Sequence, residues 1–184
     1  MTQLIEQYRK HAIPALRKEF KIANIMAVPK LTKAVINVGV GRLSKEDKIL
    51  ERIAKDVANL SGQKPTFRMA KKSIASFKIR QGAPVGIAVT LRGSRMYDFA
   101  DRFINIALPR SKDFRGIPAS NVDASGNLNI GLKESSIFPE LNYENVKDIF
   151  SLQVTFTTTA HTHTEGVALF KSLGFPIAKI KNKI

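Results

Sequence analysis

Three stretches of this chain alternate apolar and polar residues with period two. In "KAVINVGVG" (33–41), Ala34, Ile36, Val38 and Val40 share one side. Val85, Ile87, Val89 and Leu91 do so in "VGIAVTLRG" (85–93), and Leu152, Val154, Phe156 and Thr158 in "SLQVTFTTTA" (151–160). Successive strand side chains point to opposite faces, so each stretch predicts a strand buried on one face only. The apolar side of such a sheet needs a cover.

Helical periodicity supplies it. Leu4, Tyr8, Ala12 and Leu16 predict a helix over about 2–20, broken or kinked at Pro14. A second helix starts at Ser44, with Asp47 as a weak capping partner, carries Ile49, Ile53, Val57 and Leu60, and ends at Gly62. A third covers 94–108 and stops at Pro109; a short one covers 163–173 and stops at Gly174. "PTFRMA" (65–70) and "NLNIGL" (127–132) read as further strands. "SIASFKI" (73–79) reads as a strand joined to "VGIAVTLRG" in a hairpin through Gln81-Gly82-Ala83-Pro84. The loop 109–127 is long enough to be functional or disordered. The basic tail, about 177–184, reads as frayed. The expected fold is α+β: an antiparallel or mixed sheet with helices packed on one face. With no repeat and no interior linker, residues 1–184 read as a single domain.

The other sheet face would carry Lys33, Asn37, Thr90, Arg92, Gln153, Thr155 and Thr157. Such a face can lie in water or on RNA. Charge bears on that choice. The chain has 30 basic and 15 acidic residues, a net charge of +15, which opposes compaction unless a partner neutralises it. Nucleic acid is the first candidate and an anionic membrane surface the second. No apolar run is long enough to span a bilayer, the first ten residues hold no signal-peptide core, and there is no Cys for disulfides or thiol chemistry.

No Asp or Glu occurs between Asp56 and Asp98. That window holds Lys64, Arg68, Lys71, Lys72, Lys78 and Arg80, suited to phosphates. It also holds Gln63, Ser73, Ser76, Gln81 and Thr90, suited to sugars and bases. Phe67 and Phe77 could stack on an unpaired base, although a core position is the commoner use of Phe.

Catalytic machinery is not visible. "NVGVGR" (37–42) has Ser44 where a dinucleotide fingerprint needs its third glycine. His161 and His163 lack the companions of a metal site, and Asp98 and Asp101 resemble helix ion pairs with Arg95 and Arg102. No cofactor, metal or small-molecule substrate is expected. The aromatic strand of an RNA-recognition module is also absent, which favours reading shape and backbone over stacking.

"GQKPTFRMAKKSIASFKIRQG" (62–82) resembles the signature segment of the bacterial large-subunit ribosomal protein five family. "IMAVPKLTKAVINVGVG" (25–41), "VTLRGSRMYDFADRFINIALPRSKDFRG" (89–116), "SIFPELNY" (136–143) and "TTTAHTHTEGVALFKSLGFP" (157–176) extend the resemblance over nearly the whole chain. It implies an RNA-recognition-module-like sheet with a protruding basic hairpin. It further implies a structural, non-enzymatic protein of the cytoplasmic ribosome that binds 5S rRNA in the central protuberance. Lys33, Asn37, Gln63 and Thr90 then stand at RNA-contacting positions, with Lys64, Arg68, Lys71, Lys72 and Ser73 in the basic segment and Arg92 on the polar face. The hairpin, roughly Lys71 to Pro84, would approach the elbow of P-site tRNA with Lys78, Arg80 and Gln81. The part after Pro109 would approach small-subunit ribosomal protein thirteen. Large-subunit rRNA and neighbouring large-subunit proteins complete the implied partners. Phe67 and Met69 stand where the family more often has small β-branched residues, and no acid precedes Gly82. Two other classes stay open: an RNA-modifying enzyme and a general RNA chaperone.

Overall fold

The computed structural model describes residues 3–41, 47–77, 79–112, 114–141 and 149–178. Strands β1 (Leu31–Gly39), β2 (Thr66–Met69), β3 (Pro84–Leu91), β4 (Leu128–Leu132) and β5 (Leu152–Thr158) form one antiparallel sheet of order β2-β3-β1-β5-β4. β1 buries Ala34, Ile36 and Val38 and exposes Asn37 and Gly39. β5 buries Leu152, Val154, Phe156 and Thr158 and exposes Gln153. β3 departs from alternation: Ile87, Val89 and Leu91 are buried and Val85 is half-buried, while Gly86 and Ala88 are buried as well. Both are small residues on a strand flanked by β2 and β1.

The expected strand over 73–79 does not form. β3 pairs instead with β2, through Thr66↔Ala88, Phe67↔Ile87 and Arg68↔Gly86, with an irregularity between Arg68 and Met69. Beyond β2 the chain continues as an arm. Ala70 N–H donates to the Ala83 carbonyl (2.9 Å), Gly82 N–H to the Ala70 carbonyl (3.0 Å), and Ile74 and Ile79 exchange a bridge. A 3₁₀ turn at Ala75–Phe77 closes the tip. Residues 71–77 are all exposed, so no buried face imposes a two-residue period on them. Lys78 and the expected cap at Ser44 lie outside the described residues.

The helices are α1 (Gln3–Gln7), α2 (Ile13–Phe20), α3 (Asp47–Ser61), α4 (Gly93–Arg102), α5 (Leu108–Arg110) and α6 (His163–Ser172). Neither proline breaks its helix. A π-helical turn at Tyr8–Ala12 leads into α2 just before Pro14, and another at Phe103–Ala107 leads into α5 just before Pro109. Proline lacks an N–H and crowds the carbonyl one turn back; a wider turn relieves both defects. The helix therefore runs through Pro109 to Arg110 rather than stopping at it.

The chain divides into two compact units. In the unit of Met1–Ala34, Arg92–Ile130 and Thr155–Ile184, Phe156 of β5 meets Phe99 (6.3 Å), Phe103 (5.7 Å) and Phe175 (5.2 Å) between ring centres. The loop 109–127 is joined by backbone bonds to the segment after α6. Ile117 N–H donates to the Pro176 carbonyl and Ala178 N–H to the Ile117 carbonyl, both at 2.8 Å. Those bonds also tie down Ile177 and Ala178, the start of the tail expected to fray; 179–184 lie outside the described residues. In the unit of Val35–Leu91 and Gly131–Val154, α3 packs on β3 and buries Leu50, Ile53, Val57 and Leu60. Gly62, at φ +66°, ends α3 in a left-handed turn that a side chain would disfavour.

Candidate nucleic-acid interface

Asn37 is exposed because β1 is a strand: Ile36 and Val38 turn into the core, which leaves Asn37 outside. It flanks Gly86 of β3. A Cβ placed on Gly86 would stand 3.8 Å from Asn37 Oδ1 on one side and 3.6 Å from Arg68 Cβ on the other. An amide and a guanidinium-bearing side chain thus border a floor of Gly86 and Ala88. Gln63 lies just past the turn at Gly62, and its Nε2 donates to the Thr90 carbonyl at 3.3 Å. This anchors Gln63 to the far end of β3. Gln63 and Thr90 are half-buried, and Lys64 beside them is exposed.

Among the described residues of this unit, the basic side chains Arg68, Lys71, Lys72 and Arg80 are exposed, as are Ser73 and Gln81. Ser73 Oγ accepts from Gln81 N–H at 2.9 Å and so joins the two sides of the arm. Phe77 is 72% exposed at the arm tip, which removes it from the core; Phe67 is half-buried. Met69 is exposed as well.

Lys33 and Arg92 belong to the other unit. Lys33 is half-buried on β1. Arg92 is exposed in extended backbone ahead of α4. Thr155 and Thr157 are engaged inside the sheet: Thr155 Oγ1 bonds to Asn129 Oδ1 (2.8 Å), and the Thr157 carbonyl accepts from Thr32 Oγ1 (2.9 Å).

Beside Asn37 lies a groove of about 470 Å³, bordered by Gly39, Gly131, Lys133, Ser151 and Gln153. Cβ atoms built on Gly39 or Gly131 would meet nothing within 4 Å, so no strand crowds Gly39; the missing side chains leave the groove open. Gln153 is legible as a polar-face residue. Lys133 and Ser151 are not, because they sit just beyond β4 and just before β5, where strand alternation ends. Their one signal is position: polar residues abutting a strand end.

The His161–Glu165 stretch is a helix cap. Thr162 Oγ1 accepts from Glu165 N–H (3.3 Å), Glu165 Oε2 accepts from His161 N–H (2.8 Å), and His163 Nε2 lies 3.1 Å from the Ala119 carbonyl. Asp101 Oδ1 accepts from Asn105 Nδ2 at 2.9 Å. Among the described residues no three His, Asp or Glu side chains group as metal ligands, and no helix is long and apolar enough to cross a membrane.

A family model described as Ribosomal protein L5 matches residues 24–80, and a second, for the C-terminus of the same ribosomal family, matches residues 84–177. The chain is 47% identical over 177 residues to a Streptococcus thermophilus protein named large ribosomal subunit protein uL5, covering 96% of this chain and 98% of that one. A Chloroflexus aggregans protein of the same name is 49% identical over 174 residues, covering 95% and 97%. One from a Thermoanaerobacter species is 47% identical over 179 residues, covering 97% and 100%. Two adjoining family matches, and relatives of near-half identity over nearly the full sequence, mean that the chain belongs to the ribosomal protein L5 family, structural constituents of the large ribosomal subunit.

Proposed function

We propose that this protein attaches 5S rRNA to the large subunit in the central protuberance, working as one ribosomal domain without catalysis. The observation that carries the reading is Asn37, exposed on β1 and facing Arg68 across side-chain-free Gly86. Asn37, Gln63 and Thr90 supply directional hydrogen bonds to RNA; Lys33, Lys64, Arg68, Lys71, Lys72 and Arg92, with Ser73, supply contacts to the phosphate backbone. The acid-free window then has a reason: RNA phosphates provide its counter-charge. The arm, with Lys78, Arg80 and Gln81, reaches P-site tRNA, and the part after Pro109 faces small-subunit ribosomal protein thirteen. Other large-subunit rRNA and neighbouring proteins hold the remainder.

The test is affinity for 5S rRNA against an unrelated RNA of equal length at two salt concentrations, repeated with Asn37→Ala and Gln63→Ala. Preference for 5S rRNA should persist at the higher salt, and each variant should lose about 1–3 kcal/mol of that preference. Equal affinities that fall together with salt, indifferent to both substitutions, would reject the reading and favour a general RNA chaperone.

A further inference from the structure

Six large apolar side chains are strongly exposed among the described residues; two of them (Ile74 and Phe77) sit on the arm and a third, Met69, ends β2 where the arm begins. Two of the others are adjacent, elsewhere: Ile25 at 53% and Met26 at 74% exposure, on a 3₁₀ turn between α2 and β1. Nothing in the proposed 5S rRNA contact uses them.

The turn that presents them is held at almost every step. Lys21 ends α2 at φ +52°, the one non-glycine residue with positive φ among those described. For a side chain with a Cβ this conformation is strained. It persists because Arg17 clamps the next two residues: its Nε donates to the Ile22 carbonyl (3.2 Å) and its Nη2 to the Ala23 carbonyl (3.0 Å). Asn24 Oδ1 then accepts from Met26 N–H at 2.9 Å, and Val28 N–H closes onto the Ile25 carbonyl at 3.3 Å. Tyr8 Oη donates to the Pro29 carbonyl (3.1 Å), and Lys30 exchanges bonds with Thr159 at 3.0 Å. A loose loop could fold Ile25 and Met26 away from water; this one cannot. Holding apolar side chains outward on a stiff support is preorganisation for a contact.

The flanking charge identifies the contact. Lys18, Lys21 and Lys30 are exposed around the turn, and from Arg9 to Lys33 the sole acid is Glu19. Protein–protein interfaces favour Met but are depleted in Lys, whereas RNA backbones attract it. We propose that the Ile25–Met26 turn is a second RNA-docking point, set by its two apolar side chains against the ribose-lined shallow groove of a double-helical rRNA segment, with Lys18, Lys21 and Lys30 on the bordering phosphates. It acts independently of the sheet face.

The experiment places a diazirine-bearing photo-methionine at position 26 and irradiates assembled large subunits. The expected result is a crosslink from residue 26 to rRNA. In parallel, the double variant Ile25→Asp, Met26→Asp should keep its melting temperature and its affinity for isolated 5S rRNA. It should nonetheless wash out of large subunits several-fold more readily in salt, and Ile25→Leu, Met26→Leu should be retained. A crosslink to a ribosomal protein would overturn the proposal in favour of a protein partner. No crosslink, or equal retention of the Asp variant, would overturn it outright. Loss of 5S preference in Asn37→Ala tests the other site and leaves this result unaffected.

Discussion

Gly126 and Gly166 touch backbone to backbone. A Cβ on Gly166 would stand 2.5 Å from Gly126 Cα, and one on Gly126 would stand 2.6 Å from the Ala160 Cβ. α6 can lie against the 123–127 turn because neither residue has a side chain. In an exposed helix, Gly→Ala stabilises by about 1 kcal/mol. Here the sign should reverse: Gly166→Ala should lose about 1–3 kcal/mol through overpacking. Thermal melting of the purified variant checks it, and a raised midpoint would contradict the close approach.

The same turn carries a pH response. Burial pushes the Asp123 carboxyl up, but hydrogen bonds from Asn127 N–H (2.8 Å), Asn127 Nδ2 (2.9 Å) and the Ser125 backbone outweigh it and hold the group below its ordinary 3.8. A depressed carboxylate stabilises the fold above its unfolded pKa and loses that contribution as pH falls through the folded value. Acidification below about pH 4 should therefore release the turn, including the bond from Thr158 N–H to Asn127 Oδ1 (3.0 Å). The amide shift of Asn127, followed by NMR, should titrate below the free Asp range. Titration at or above that range would count against the bonds.

Tyr8 gives the alkaline counterpart. Burial first, then the neighbouring Tyr97, pushes its phenol up from 10.0 to about 12, and its Oη donates to the Pro29 carbonyl. A raised pKa stabilises fully below pH 10 and is lost as pH rises through the folded value near 12. Stability should fall across that window, and Tyr8→Phe should flatten much of the fall. Ultraviolet titration of tyrosinate locates the transition; ionisation of Tyr8 at pH 10 in the folded protein would refute it.

Charge and hydrogen-bonding residues should separate in their salt dependence. Lys71→Ala and Lys72→Ala remove exposed cations, so each should lower the slope of log affinity against log salt for RNA by about 1. Asn37→Ala should weaken binding to 5S rRNA with the slope unchanged. A slope altered by Asn37→Ala, or untouched by the lysine variants, would mean that roles have been misassigned.

Much of this architecture is legible in strand parity. β1 and β5 bury the residues that their alternation names, and parity alone puts Asn37 outside. The arm resists reading because Ile74, Phe77 and Ile79 look like a strand's apolar set while Ile74 and Phe77 stand in water. Pro14 and Pro109 resist it for another reason: a proline announces a defect, but only the packing around it selects between a break and a widened turn. The bond from Gln63 to Thr90 depends on where α3 ends over β3, a tertiary fact with no local periodicity. The turn at Ile25 and Met26 is not legible in advance, since exposure cannot be read from two apolar letters.

The arm beyond β2 has one more consequence. Residues 71–77 and 80–82 are exposed, and among the described residues the arm is closed, apart from the Ser73–Gln81 bond, by backbone pairs that make little demand on side chains except at Gly82, whose φ of +81° favours glycine. Sequence change at the arm's exposed positions other than Gly82 is nearly invisible to folding. Evolution can therefore rewrite the arm without passing through unstable intermediates: selection on that stretch reads its partner alone, while the body of the protein stays as it is.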